Sequence, residues 1–154
     1  MADAVRFEVK GLRELGAALR ELGGPAAVRV CAGATGTAAR FVKEQAKNNI
    51  RSSPSVETGS LLESIIVKKV PKSQTDLTSA HIVTPRRRRT GSKKTRSKQR
   101  TAPHALYVEF GTVNMPAEPF LEPALSRNVG RATQVMKEKL ASGIDREAKK
   151  VSKI

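Results

Sequence analysis

Residues 86 to 100 read RRRRTGSKKTRSKQR, with nine basic side chains and no acidic or hydrophobic one. Such a stretch has nothing to bury and repels itself into extended states. Any fold must therefore be built on either side of it. The chain is read as one domain, residues 1–154, interrupted by an inserted flexible basic loop at 85–103. Lys plus Arg number 29 against 14 Asp plus Glu, a net charge of +15. Without the fifteen-residue block the other 139 residues carry only +6. The high pI thus describes the loop, and the rest has the charge of an ordinary domain surface.

Outside the loop, the hydrophobic pattern predicts an α+β domain. Val5, Phe7 and Val9 alternate with charged residues, a period of two that predicts a first strand. Leu12, Leu15, Leu19 and Leu22 form a helical stripe, stopped by Gly23, Gly24 and Pro25. A longer helix follows from about Ala26 to Asn49, with Val28, Cys31, Ala38, Phe41, Val42 and Ala46 as its apolar face. After the Thr58-Gly59 turn, a short turn of helix leads into a strand rich in β-branched residues within Leu61 to Val70. Pro71 to Thr75 reads as a hairpin connection and Thr78 to Thr84 as the partner strand. Leu106 to Phe110 (LYVEF) alternates weakly and reads as a further strand ending at Gly111. Three prolines between Met115 and Pro123 make an extended approach to a last helix. Its apolar face would hold Leu121, Leu125, Val129, Thr133, Met136 and Leu140. The expectation is an antiparallel sheet of about four strands, packed with two N-terminal helices and a C-terminal helix.

Chemistry is hard to place on this chain. A catalytic centre needs convergent polar groups. The two histidines, His81 and His104, have no companion at metal-ligand spacing. One cysteine, Cys31, excludes an intramolecular disulfide and a Cys-rich zinc site, and it falls on the apolar face of the long helix. No phosphate-binding glycine loop is present, so no cofactor, metal or catalytic residue is assigned. Glu109 and Glu118 do not form an acid/base pair that spacing alone can place. No apolar run reaches the roughly 18 residues of a membrane span. The opening MADAVRFEVK has no apolar signal-peptide region.

The basic block admits several readings. Arg86, Arg87, Arg88, Arg89, Lys93, Lys94, Arg96, Lys98 and Arg100 would neutralise phosphates and bind nucleic acid without reading sequence. They would equally meet an acidic partner surface or an anionic membrane, and the run also resembles a nuclear-import signal, a weak pattern. Or they are solvated and keep the protein soluble, although nine cations in fifteen residues exceed what solubility requires. With 3% aromatics, stacking on bases adds little to the first reading.

The run YVEFGTVNMPAEPFLEPAL, Tyr107 to Leu125, is the most specific stretch of the chain. Together with TGSLLESI from Thr58 and the opening GLRELGAALREL, it resembles a family of tailed-bacteriophage morphogenesis proteins. These are the small neck, head–tail joining and tail-completion proteins of long-tailed phages, the gene-product-ten-like family of lambdoid phages. The resemblance covers most of the chain, in the same order.

The resemblance implies a structural virion protein and no enzyme. It implies a homo-oligomeric ring of about six or twelve copies built on head-to-tail interfaces. The ring would join or seal the tail to the head connector at the head–tail junction, after assembly in the host cytoplasm. Its partners would be the connector or adaptor above and tail-tube or tail-terminator proteins below, with phage DNA in the lumen and no membrane. Glu109, Phe110, Gly111, Thr112, Met115, Pro116, Pro119 and Phe120 would form the subunit or partner interface. The prolines stiffen that segment, and Phe120 would anchor either in its own core or on the next subunit. The competing class is a nucleic-acid-binding protein acting through residues 86 to 100 without sequence specificity.

Overall fold

The computed structural model describes residues 12–21, 24–53, 59–70, 79–86 and 104–151. In chain order these form α1 (Leu12–Glu21), α2 (Gly24–Ser52), α3 (Ser60–Ser64), β1 (Ile65–Lys69), β2 (His81–Pro85), α4 (Ala105–Phe110), α5 (Leu121–Ser126) and α6 (Val129–Val151). The described residues are mostly helical, with one antiparallel two-stranded sheet. The α+β class therefore holds in its broad sense, but four strands are not found among the described residues. The expected strand at Val5 to Val9 and the hairpin connection at Pro71 to Thr75 lie outside the described residues. The expected strand at Leu106 to Phe110 is instead α4.

Two compact units divide the chain. The first gathers α1, α2 as far as Ala38, and α6. Its core is Val30 and Ala34 of α2 with Leu140 of α6. Leu15 and Leu19 of the predicted α1 stripe pack on it, as do Cys31, Met136 and Ile144. Gly24 and Pro25 open α2 rather than only closing α1. Proline is tolerated in a first helical turn because its missing N–H has no intrahelical partner there. Thr35 and Thr37 stay inside the helix by returning their hydroxyls to the carbonyls of Cys31 and Gly33, at 2.9 and 2.8 Å. Glu147 of α6 lies 2.8 Å from Lys150 and 3.6 Å from Arg29 of α2. The hydrogen bond from Lys150 is the main reason its carboxyl titrates below the usual range.

Gly143 lies directly against Val30. A Cβ built there would sit 2.8 Å from Cγ1 of Val30, so the Val30 side chain or the helices themselves would have to shift. Gly143→Ala is therefore expected to destabilise, although alanine is the better helix former by about 1 kcal/mol. In a Val30→Ala background the same change should turn neutral or stabilising. A double-mutant cycle in urea should show a coupling of about 1–2 kcal/mol. Additive effects would mean that the helices are not held in this contact.

The second unit gathers α2 from Ala39, α3, β1 as far as Lys68, β2, α4 and α5. Ala39, Val42, Ala46 and Ile50 are buried at spacings of three, four and four, one face of the helix. This buried stripe departs from the expected one. Val42 and Ala46 match the expected face, whereas Val28, Cys31, Ala38 and Phe41 are only half-buried and Val30, Ala34, Ala39 and Ile50 are buried instead. A helix rich in Ala, Gly and Thr has a weak hydrophobic contrast, so its neighbours choose the face. Leu61, Ile65, Ala105, Phe120 and Ala124 complete the buried apolar set of this unit. Ser64, fully buried, returns its hydroxyl to the Leu61 carbonyl at 2.7 Å as the chain passes from α3 into β1. Arg86 N–H donates to Ser64 O at 2.8 Å. That pairing sets Pro85 opposite Ile65, where the ladder needs no N–H.

The expected last helix is two helices. α5 ends at Ser126, where Arg127 N–H turns back to Pro123 O and the Asn128 side chain to Ala124 O. Ala124 of α5 is buried in place of Leu125, which is half-exposed. Among the described residues no helix is long and apolar enough to cross a membrane.

Candidate functional site

The stretch from His104 to Ser126 folds back on itself around one carboxylate. His104 stands just before α4 as its N-cap residue, and its ring centroid lies 6.2 Å from that of Tyr107. Ala105 and Glu109, four residues apart, are the buried side of this short helix. The carboxylate of Glu109, 7% exposed, accepts three backbone N–H groups at the start of α5. Phe120 and Leu121 donate to Oε2 at 2.9 Å each, and Glu122 donates to Oε1 at 3.0 Å. These are the N–H groups that the first turn of a helix leaves without partners, and an anion is the favoured acceptor there. The LYVEF segment is helical because this arrangement needs Glu109 and Ala105 on one side. A weak alternation of Leu, Val and Phe does not outweigh it.

Gly111 ends α4 in a conformation that other residues resist, with φ 73 and ψ −179. Its N–H caps Tyr107 O at 2.8 Å. The chain then makes a tight turn, closed by Thr112 N–H to Met115 O at 2.8 Å and Met115 N–H to Thr112 O at 3.2 Å. It returns alongside α4, with Glu118 N–H on Val108 O at 2.8 Å. Two side-chain bonds tie the segment to α2 and the residue just after it. Asn49 donates to Phe120 O at 3.0 Å, and the Ser53 hydroxyl donates to the Glu118 carboxylate. Ile50, Leu61, Val108 and Phe120 line a cleft beside these ties.

The residues expected at an interface therefore divide. Glu109 and Phe120 are buried in the chain's own interior, Phe120 at 2% exposure. Gly111, Thr112 and Met115 shape the turn. Phe110 (76% exposed), Pro116 and Pro119 remain on the surface. Leu106, Tyr107 and Val113, which motif reading passed over, are exposed as well. Leu106 and Phe110 are four apart and Tyr107 and Phe110 three apart on α4, so they share its outer side. Val113 stands at the tip of the turn. Treating 106–110 as a strand hid this grouping; a helical wheel would have shown it. Of the nine loop cations, Arg86 is half-buried at the end of β2, and Arg87 to Arg100 lie outside the described residues. His81 is half-buried on β2 and His104 is exposed. Among the described residues no three His, Cys, Asp or Glu side chains come together as metal ligands.

Residues 13–111 match the family described as "Bacteriophage HK97-gp10, putative tail-component". The match takes in α1 to α4 and stops at Gly111, so the proline-rich return and the last two helices lie beyond it. No curated protein and no solved structure matches the chain significantly. With well over half of its length inside that family's pattern, the chain belongs to the HK97-gp10-like family of bacteriophage tail components.

Proposed function

We propose that the protein is a structural component of the virion that assembles as a homo-oligomeric ring at the head–tail junction. There it joins or seals the tail to the head connector while leaving a path for DNA. The observation that supports this reading is the construction of the segment from Ala105 to Ser126. Its buried polar groups are satisfied internally, by Glu109 above all, and the outer side of α4 with the Val113 tip exposes large apolar side chains. A surface of that kind is suited to holding a neighbour, and no bond chemistry is assigned to it. The basic loop, residues 86 to 100, would face either DNA in the lumen or an acidic ring of an adjacent component.

The test is electron microscopy of particles from the phage or prophage with this gene deleted. Filled heads lying apart from finished tails would show a joining role. Tails of abnormal length would show a completion or terminating role. Normal infectious particles would overturn the reading and leave salt-dependent nucleic-acid binding through the basic block as the function to pursue.

A further inference from the structure

The half of α2 that begins at Ala39 carries its positive charge on one side. Arg40, Lys43, Lys47 and Arg51 recur at spacings of three, four and four, so they form one row along the helix. Each follows a buried apolar residue, Ala39, Val42, Ala46 or Ile50, by one position. The row therefore lies about 100° round the helix from the face that holds the core. Arg40 and Arg51 are exposed, and Lys43 and Lys47 are half-buried. Half-burial of a lysine covers its stem and leaves its ammonium in water.

Little offsets this charge. Residues 40–51 hold four cations and one carboxylate, Glu44, a net charge of +3. Glu44 lies 3.4 Å from Lys43. The Arg51 guanidinium donates to the neutral Asn48 side chain at 2.8 Å, a bond that does not cancel its charge. Arg40 and Lys47 have no side-chain hydrogen bond or ion pair among the described residues.

The rest of that side points to the kind of partner. The exposed residues of α2 beyond Ala39 are Arg40, Glu44, Asn48, Arg51 and Ser52, none of them apolar. The centre of a protein–protein interface is depleted in charge and rich in aromatic and other apolar side chains. An interface with nucleic acid is polar and positively charged. The row on α2 fits the second description. No aromatic side chain is exposed beside it to stack on a base, which favours a duplex backbone over a single strand. At 1.5 Å per residue the row runs for about 16 Å. A duplex presents one negative charge per about 1.7 Å of its axis, so each cation meets a phosphate whatever the sequence.

We infer that Arg40, Lys43, Lys47 and Arg51 of α2 contact the phosphates of duplex DNA without reading its sequence. That contact rests on the DNA path proposed above and names the side of the subunit that faces it. It draws on α2 alone, whatever the loop at 86 to 100 does.

The test is titration of the full-length protein into a short mixed-sequence DNA duplex at several salt concentrations, read by fluorescence anisotropy. Arg40→Gln with Lys47→Gln is compared with Lys139→Gln with Arg146→Gln, which removes the same charge from exposed positions on α6. None of these four side chains has a hydrogen bond or ion pair among the described residues. Unchanged melting temperatures therefore separate lost binding from lost folding. Each phosphate contact removed lowers the slope of log K against log salt by about 0.9. The α2 pair should lower it by about 2, and the affinity at 0.1 M salt by about tenfold to a hundredfold. Adding Lys43→Gln and Arg51→Gln should bring the drop in slope to about 3.5. The α6 pair should leave the slope nearly unchanged. Equal losses from the two pairs would overturn the inference, because binding would then follow net charge alone. So would an unchanged slope in the α2 variants, or no binding by the wild-type protein. Unchanged DNA binding with heads and tails left unjoined by the α2 variant would assign the row to a protein partner and leave the assembly role intact. Normal particles on gene deletion would fail the assembly role itself, which distinguishes the two failures.

Discussion

Glu109→Ala lowers the unfolding free energy by about 3–5 kcal/mol. Three backbone N–H groups lose an ionised acceptor at once. Hydrogen bonds to a charged partner contribute about 1.5–3 kcal/mol each, and three on one side chain are not fully additive. Phe120 N–H is buried and has no water to turn to. Glu109→Gln keeps a carbonyl oxygen but loses the charge, so roughly half of the loss should remain. Urea unfolding can follow this locally, because Tyr107 is the only tyrosine and the chain has no tryptophan. Its fluorescence therefore reports on α4 itself. Equal stability of the wild-type and alanine proteins would show that the carboxylate does not hold α5.

Gly111→Ala should cost about 3–4 kcal/mol for a different reason. The backbone there, at φ 73 and ψ −179, lies in a region essentially reserved for glycine, which costs another residue about 1–3 kcal/mol. An added Cβ would also sit 2.8 Å from Ala117 N and 2.9 Å from Met115 O, both backbone atoms that cannot swing aside. Gly130→Ala is the matched control. That glycine is in α6, and a methyl group added to it would have nothing within 4 Å. The change there should be neutral or stabilising by up to about 1 kcal/mol. Similar melting temperatures for the two variants would mean that Gly111 is not a strained pivot.

The expected and observed folds part company in particular places. The Leu stripe of α1 and the β-branched run of β1 were legible because their hydrophobic periods are strong and local. The basic block was legible because charge density admits no burial. LYVEF was misread as a strand because five residues sample barely more than one helical turn, too short for either period to prevail. What decided it was a distant group, the start of α5, that needs the carboxylate of Glu109. The buried face of α2 was misplaced because alanine and glycine pattern poorly. Val30 and Ala34 are buried only because Leu140 and Gly143 of α6 come close enough to cover them. Exposure of Leu106, Tyr107, Phe110 and Val113 was likewise invisible, since an apolar residue in a sequence is read as buried until its neighbours are known.

The sequence by itself determined where helices α1 and α2 and strands β1 and β2 fall to within a few residues. It also showed that a fifteen-residue cationic block must stay out of any core, and it carried the family resemblance. Those properties depend on local periodicity, charge and motif. Only the tertiary structure decided which side of each small-residue helix is covered, which backbone groups Glu109 serves, and which apolar side chains remain outside. These depend on contacts between residues far apart in the chain, where one hydrogen-bonded carboxylate or one close helix approach outweighs a weak local preference.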